Sequence, residues 1–237
     1  WQCRCVCTGQ GRRVTLPLHR TYTYGGRQEF CLCFGDDAAS RCVLIVPPLF
    51  DEMNRTRRML VEMMRMLAER GVRTVLADVP GCNESLADIA VQTLDEWRQA
   101  LRMVVGEMGI THIVSVRGGA LIDNIADVPV LRLAPVKGSS LLKTMLRTRL
   151  IADKEGGKTS TAEDLLAASK SQPLELSGYL LSADMLASLD STTPADLPQV
   201  QEVGLAEING APLWLRAEPQ DDPAMSAAFA ARITDWS

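Results

Sequence analysis

The chain has 237 residues, 46% of them hydrophobic and 23% charged, with a formal net charge of −4. That size and balance suit a globular core of one large or two small domains, and the mild acidity argues against nucleic acid as a partner. The longest apolar run, "CVLIVPPLF", contains two prolines and is far too short to span a membrane.

The sequence begins at Trp1 and lacks the charged, apolar, small-residue order of a signal peptide, so a cytoplasmic location is expected. Six of the seven cysteines precede position 43. Cys3, Cys5 and Cys7 alternate, as do Cys31 and Cys33, so each set would share one strand face. The C-x-C spacing is shorter than that of most zinc sites and no histidine supports it, so small buried hydrophobes or surface thiols are expected, with no metal and no cofactor.

"RRVTLPLHR" and "EFCLCFG" read as strands around the turn "YGGRQ". "RCVLIVPP" reads as a buried strand. "DEMNRTRRMLVEMMRMLAERG" follows as a helix, with Leu60, Met63, Met64 and Leu67 on one face and Gly71 as the stop. Its residues Arg55, Arg57, Arg58 and Arg65 are expected on a solvated face, with an anion site on that helix as the sharper alternative. "VRTVLADVPG" gives a strand and turn. "TLDEWRQALRMVVGEMG" gives a helix opened by a capping box of Thr93 with Glu96 and closed by Gly109. "ITHIVSV" is a strand, Arg117 to Leu121 a helix start, and "VPVLRLAP" a further strand.

This alternation means a mostly parallel sheet with helices on both faces. From Gly138 to about Asp190 the pattern turns helical and polar with no good strand, which reads as a helical cap inserted in a single domain of residues 1–237. Strands are expected to resume with "QVQEVGLAEI" and "APLWLRAE", before a closing helix in "PAMSAAFAARITDW". "EGGKTS" imitates the end of a phosphate-binding loop, but Ala152 stands where its first glycine belongs, so a flexible loop is expected.

The junction "SVRGGALI" is the most informative stretch. Many α/β enzymes place a nucleophilic serine on such a strand-to-helix turn, as G-x-S-x-G. Here the middle residue is Arg117. The two histidines, His19 and His112, both precede it, whereas the base of a serine triad on this kind of sheet follows the acid. Arg117, opening a helix, needs an acid or an anion beside it. Either Glu52 or Asp51 forms an ion pair with it, or a ligand carboxylate or phosphate is held there with backbone N–H groups. Cys82 is a candidate thiolate if Arg117 lowers its pKa; Glu52 and Asp78 are candidate water-activating carboxylates. The candidate ligand residues are Arg117, Gly118, Glu52, Asn54, Asp78, Cys82 and Ser85.

The runs "PPLFDEMNRTRRM", "ADVPGCNESL", "SVRGGAL", "LAPVKGSSLLKTMLRTRL" and "LELSGYLLSADMLASLD" together resemble the second type of exosortase A system-associated hydrolase, an α/β-hydrolase-like family found beside exosortase and exopolysaccharide genes. The resemblance covers roughly residues 30 to 220. The wider pattern D-x-x-G-x-G-x-S is met at Asp78, Gly81 and Ser85 and departs at Asn83. The resemblance implies arginine at the elbow, where the family carries G-L-R-L-G; this chain departs at Ser115 and Gly118. The absent serine and the absence of a histidine after the elbow point to a non-hydrolytic protein that binds a small anionic or acyl ligand, or a partner, and the resemblance implies an accessory role in the exosortase/exopolysaccharide system. An esterase or thioesterase with a relocated nucleophile, and an assembly scaffold using the cap as its surface, are the alternatives; homo-oligomerisation is left open.

Overall fold

The computed structural model describes residues 16–236. A seven-stranded sheet forms the centre, in the order β1-β2-β4-β3-β5-β6-β9. Strands β1 (Leu18–Tyr24) and β2 (Arg27–Phe34) form an antiparallel hairpin at one edge, and β2 runs antiparallel to β4 (Arg73–Ala77). The pairs from β4 through β3 (Cys42–Val46), β5 (His112–Val116), β6 (Val130–Leu133) and β9 (Val200–Val203) are all parallel. The chain is therefore α/β, with a mostly parallel sheet and an α/β-hydrolase-like strand order.

Alternation along the strands splits the core in two. Val43, Ile45, Val114 and Val116 face α1 (Asp51–Glu69) and α6 (Pro223–Asp235), packing on Met59, Leu60, Met63 and Phe229. Cys42, Leu44, Val46 and Ile113 face α2 (Leu94–Met108) and pack with Trp97, Leu101 and Val104. Strands buried on both faces need apolar residues at every position, which is why β3 reads "CVLIV" without a polar break. The Thr93 hydroxyl accepts from the Glu96 N–H at 3.2 Å at the start of α2. The Glu96 carboxylate bonds the Thr93 hydroxyl, also at 3.2 Å, so the reciprocal bond takes a side chain as its partner.

Three expectations are corrected, and one lies largely outside the described residues. Residues 12–15 of "RRVTLPLHR", like Cys3, Cys5 and Cys7, lie outside the described residues, and β1 starts at Leu18. "APLWLRAE" is no strand: Leu213–Leu215 form a 3-10 turn after Pro212, whose ring removes the N–H that a ladder needs. The stretch between β6 and β9 holds the helices α3 (Gly138–Glu155), α4 (Ala162–Ala168) and α5 (Ala183–Ser191), but also a hairpin of β7 (Leu174–Leu176) and β8 (Tyr179–Leu181). Ser177 and Gly178, at φ 52° and 84°, form its two-residue turn. The helix start at Arg117 is a 3-10 helix of five residues, Arg117–Leu121; a single tight turn of that length has no macrodipole worth invoking.

Candidate functional site

The carboxyl ends of β3, β4, β5 and β6 each lead to a non-glycine residue at positive φ. These are Phe50 (57°), Asn83 (51°), Arg117 (54°) and Ala134 (46°). Such conformations cost about 1–3 kcal/mol each and persist only where the surroundings over-determine them. Asn83 stands where the wider motif has its second glycine, and asparagine is among the residues that tolerate this region.

Arg117 is the turning point. Strand β5 delivers it to the sheet edge in the left-handed conformation, and the chain turns at once into 3-10 geometry. Gly119 makes this turn feasible: a Cβ there would lie 2.5 Å from the carbonyl oxygens of Val46 and Pro47. The Arg117 guanidinium then folds back onto α1. Its Nε and one terminal nitrogen each donate to Glu52 at 3.2 Å, a two-bond pairing. The other terminal nitrogen donates to the Ala134 carbonyl at 3.4 Å. The guanidinium carbon lies 4.5 Å from the centroid of the Trp214 ring, so the cation is also stacked.

The side chains of Arg117 and Glu52 are 18% and 7% exposed, so the pair is largely withdrawn from water. Burial raises the Glu52 pKa, and the bonds and charge of Arg117 pull it back. The space over the turn is filled as well. A Cβ on Gly118 would come within 3.2 Å of both Leu49 and Leu141.

The loop after β4 is held separately. Asp78 is 1% exposed; its Oδ1 accepts from the Asn83 amide at 2.7 Å and lies 3.6 Å from Arg57. Burial raises its pKa, with Arg57 and Asn83 opposing. The Tyr22 hydroxyl donates to the Asp78 carbonyl and the Trp97 indole to that of Pro80, so two buried aromatics clamp this loop. The Ser85 hydroxyl accepts from the N–H groups of Gly81 (2.9 Å) and Ala87 (3.2 Å), closing the turn. Cys82 is buried, and burial, with the Asp78 charge, pushes its thiol up to about 12. No cation lowers it, so the thiolate expectation meets the opposite electrostatics. Asn54 is exposed and sits beside the Tyr179 hydroxyl of β8, whose ring packs edge-on against Phe50 at 5.3 Å.

Arg117, Gly118 and Glu52 are thus brought together, while Asp78, Cys82 and Ser85 form a neighbouring loop cluster. The solvated face expected for α1 is only partly one. Arg57 reaches Asp78; Arg55 pairs with Asp51 at 2.7 Å and donates to the Trp214 carbonyl at 3.0 Å. The histidines lie elsewhere: His19 stacks on Phe30 in the edge hairpin, and His112, at the amino end of β5, stacks on Trp236. Sequence reasoning missed Trp214, whose apolar flanks suggested a strand. It also missed a second pair behind the elbow. Ser115, Arg132 and Glu202 stand in one row across β5, β6 and β9. Asp123 covers that row, accepting from the Ser115 hydroxyl at 2.7 Å and from Arg132 at 2.8 and 2.9 Å.

No family model matches the chain, and no curated protein does. Among solved structures, the thioesterase domain from the curacin biosynthetic pathway matches over 92% of this chain and 99% of its own, with TM-score 0.53 and 14% identity. A predicted CIB-like hydrolase from Thermoplasma acidophilum matches over 93% and 96%, with TM-score 0.47 and 16% identity. An epoxide hydrolase from Vigna radiata matches over 49% of this chain with TM-score 0.40 and 17% identity, and the chain spans only 39% of that enzyme. The likeness to the thioesterase domain agrees with the strand order: the chain has an α/β-hydrolase-like fold.

Proposed function

We propose that the protein is a non-hydrolytic binding or accessory protein on an α/β-hydrolase scaffold. The observation that carries this reading is the elbow itself. The position that presents a nucleophile in serine hydrolases holds Arg117 in the same strained turn, with its guanidinium bonded to Glu52 and stacked on Trp214. Guanidinium stays protonated at neutral pH and offers no nucleophilic lone pair. Relocated nucleophiles find little support: the Ser85 hydroxyl is occupied within its own turn, and Cys82 is held as a thiol.

Because Glu52 already balances Arg117 and the apolar side chains of Leu49 and Leu141 fill the space over the turn, an acyl group that displaces them or a protein surface suits the site better than a free anion. The helices and hairpin of residues 138–190 act in this reading as a cap over the elbow, with Leu141 reaching down to Gly118. The motif resemblance favours an exosortase/exopolysaccharide setting, and a cytoplasmic location is part of the same proposal. The test is reactivity. The protein is expected to leave short p-nitrophenyl esters intact and to resist fluorophosphonate probes. Stoichiometric labelling of one serine, lost on Ser85→Ala or Ser115→Ala, would overturn the reading.

A further inference from the structure

The chain contains five lysines and twenty arginines, and the two are distributed differently. Lys137, Lys143, Lys154, Lys158 and Lys170 all fall within one stretch of 34 residues, and none occurs elsewhere. That stretch carries seven basic and four acidic residues, a net of +3, in a chain whose total is −4. All five lysines are exposed, and none forms an ion pair among the described residues.

Helix α3 organises the centre of this patch. Leu141, Leu142, Met145 and Leu146 point into the core. On the opposite side Lys143, Arg147, Ile151 and Lys154 follow at intervals of four, four and three, which is one stripe along about three turns. Asp153 does not neutralise it, since its carboxylate is bound to Arg149 at 3.0 Å; Glu155 is the one exposed acid of the helix. Ile151 is 52% exposed in the middle of the stripe, and Leu180 is 44% exposed on β8, the strand paired with the β7 residue whose carbonyl accepts from Arg149.

We propose that this face of α3 docks on an anionic lipid surface. Long hydrated ammonium groups around an exposed aliphatic side chain match a bilayer interface, where the charges meet headgroups and the apolar group enters the acyl boundary. An acidic protein groove or a soluble polyanion would match the charges but would leave Ile151 without a role. No helix among the described residues is long and apolar enough to cross a membrane, so docking of this kind is peripheral.

The test is flotation of the full chain with vesicles of phosphatidylcholine, with and without phosphatidylglycerol, and competition by soluble inorganic polyphosphate. Binding is expected only with phosphatidylglycerol, weakening as salt is raised. At about fivefold per basic residue, removing Lys143, Arg147 and Lys154 together by alanine lowers the vesicle affinity by about a hundredfold. Ile151→Ser weakens vesicle binding but leaves polyphosphate binding unchanged. These residues are exposed, and an unchanged melting temperature verifies that each variant is folded. Equal binding to both vesicle types, none to either, or full affinity in the triple variant overturns the proposal. So does an Ile151→Ser protein that binds vesicles like the parent, which points to a polyanion or acidic protein instead.

Discussion

Two arginine–carboxylate pairs involve the segment from Ser115 to Arg132 but differ in kind. Arg132 and Asp123 are 3% and 0% exposed, bonded at 2.8 and 2.9 Å, and joined by the Ser115 hydroxyl. Arg117 and Glu52 are longer-bonded, at 3.2 Å, partly exposed, and completed by an aromatic face. The inner pair links three parallel strands to the chain leaving the elbow. The outer pair occupies the strand-to-turn position at which G-x-S-x-G enzymes present a nucleophile. A polar network sealed in the core specifies architecture; one at a strained edge decides what the site can do.

The largest effect is expected from the inner pair. Asp123→Ala leaves Arg132 buried without its partner and should cost about 3–5 kcal/mol in urea unfolding. Replacing both, as Asp123→Leu with Arg132→Met, should recover most of that loss. If the single variant cost no more than Arg117→Ala, the two pairs would not differ as described.

Arg117→Ala should cost less, nearer about 3 kcal/mol, because Arg117 is itself 18% exposed and its bonds to Glu52 are longer. The effect should depend on pH. The folded-state pKa of Glu52 is raised by burial, so its contribution favours the fold below the unfolded value and declines as pH rises through the folded value. Without Arg117 the rise is larger. The penalty of Arg117→Ala should therefore be small in acid, where Glu52 is protonated, and grow toward neutrality. A pH-independent penalty would place its origin in the lost Trp214 contact.

Smaller effects concern accessibility. Cys82 should react with iodoacetamide far more slowly in the native protein than in urea, read peptide by peptide, because it is buried and held as a thiol. Amide exchange should be fast over residues 154–161, which are exposed throughout except for Ser160, and slow in β3 and β5. Equal protection would show the stretch after α3 to be as firmly packed as the sheet.

Much of the frame was legible because its signals are local. "VLIV" is apolar at every position, "HIVSV" carries Ile113, Val114 and Val116, and "YGGRQ" marks the hairpin turn between β1 and β2. The charge requirement of Arg117 was legible too, since a cation at that turn needs an acid. The hairpin of β7 and β8 escaped because each strand has three residues, too few for a periodicity, although Ser177-Gly178 is a turn signal. Trp214 escaped because the continuous apolar run "PLWL" reads as a buried strand. The Asp123–Arg132 pair escaped for a different reason: Asp123 sits in the irregular segment between Leu121 and β6, which has no periodicity to read, and Ser115 meets Arg132 only through the register of β5 against β6.

The central claim is that Arg117 serves a fixed ion pair rather than a reaction or a free anion. It is tested most directly by a double-mutant cycle on Arg117→Ala and Glu52→Gln, followed by urea unfolding with and without acetate or phosphate. The account predicts a coupling of about 1 kcal/mol or more, unchanged by either anion. Additive effects, or stabilisation by an anion that requires Arg117, would contradict it.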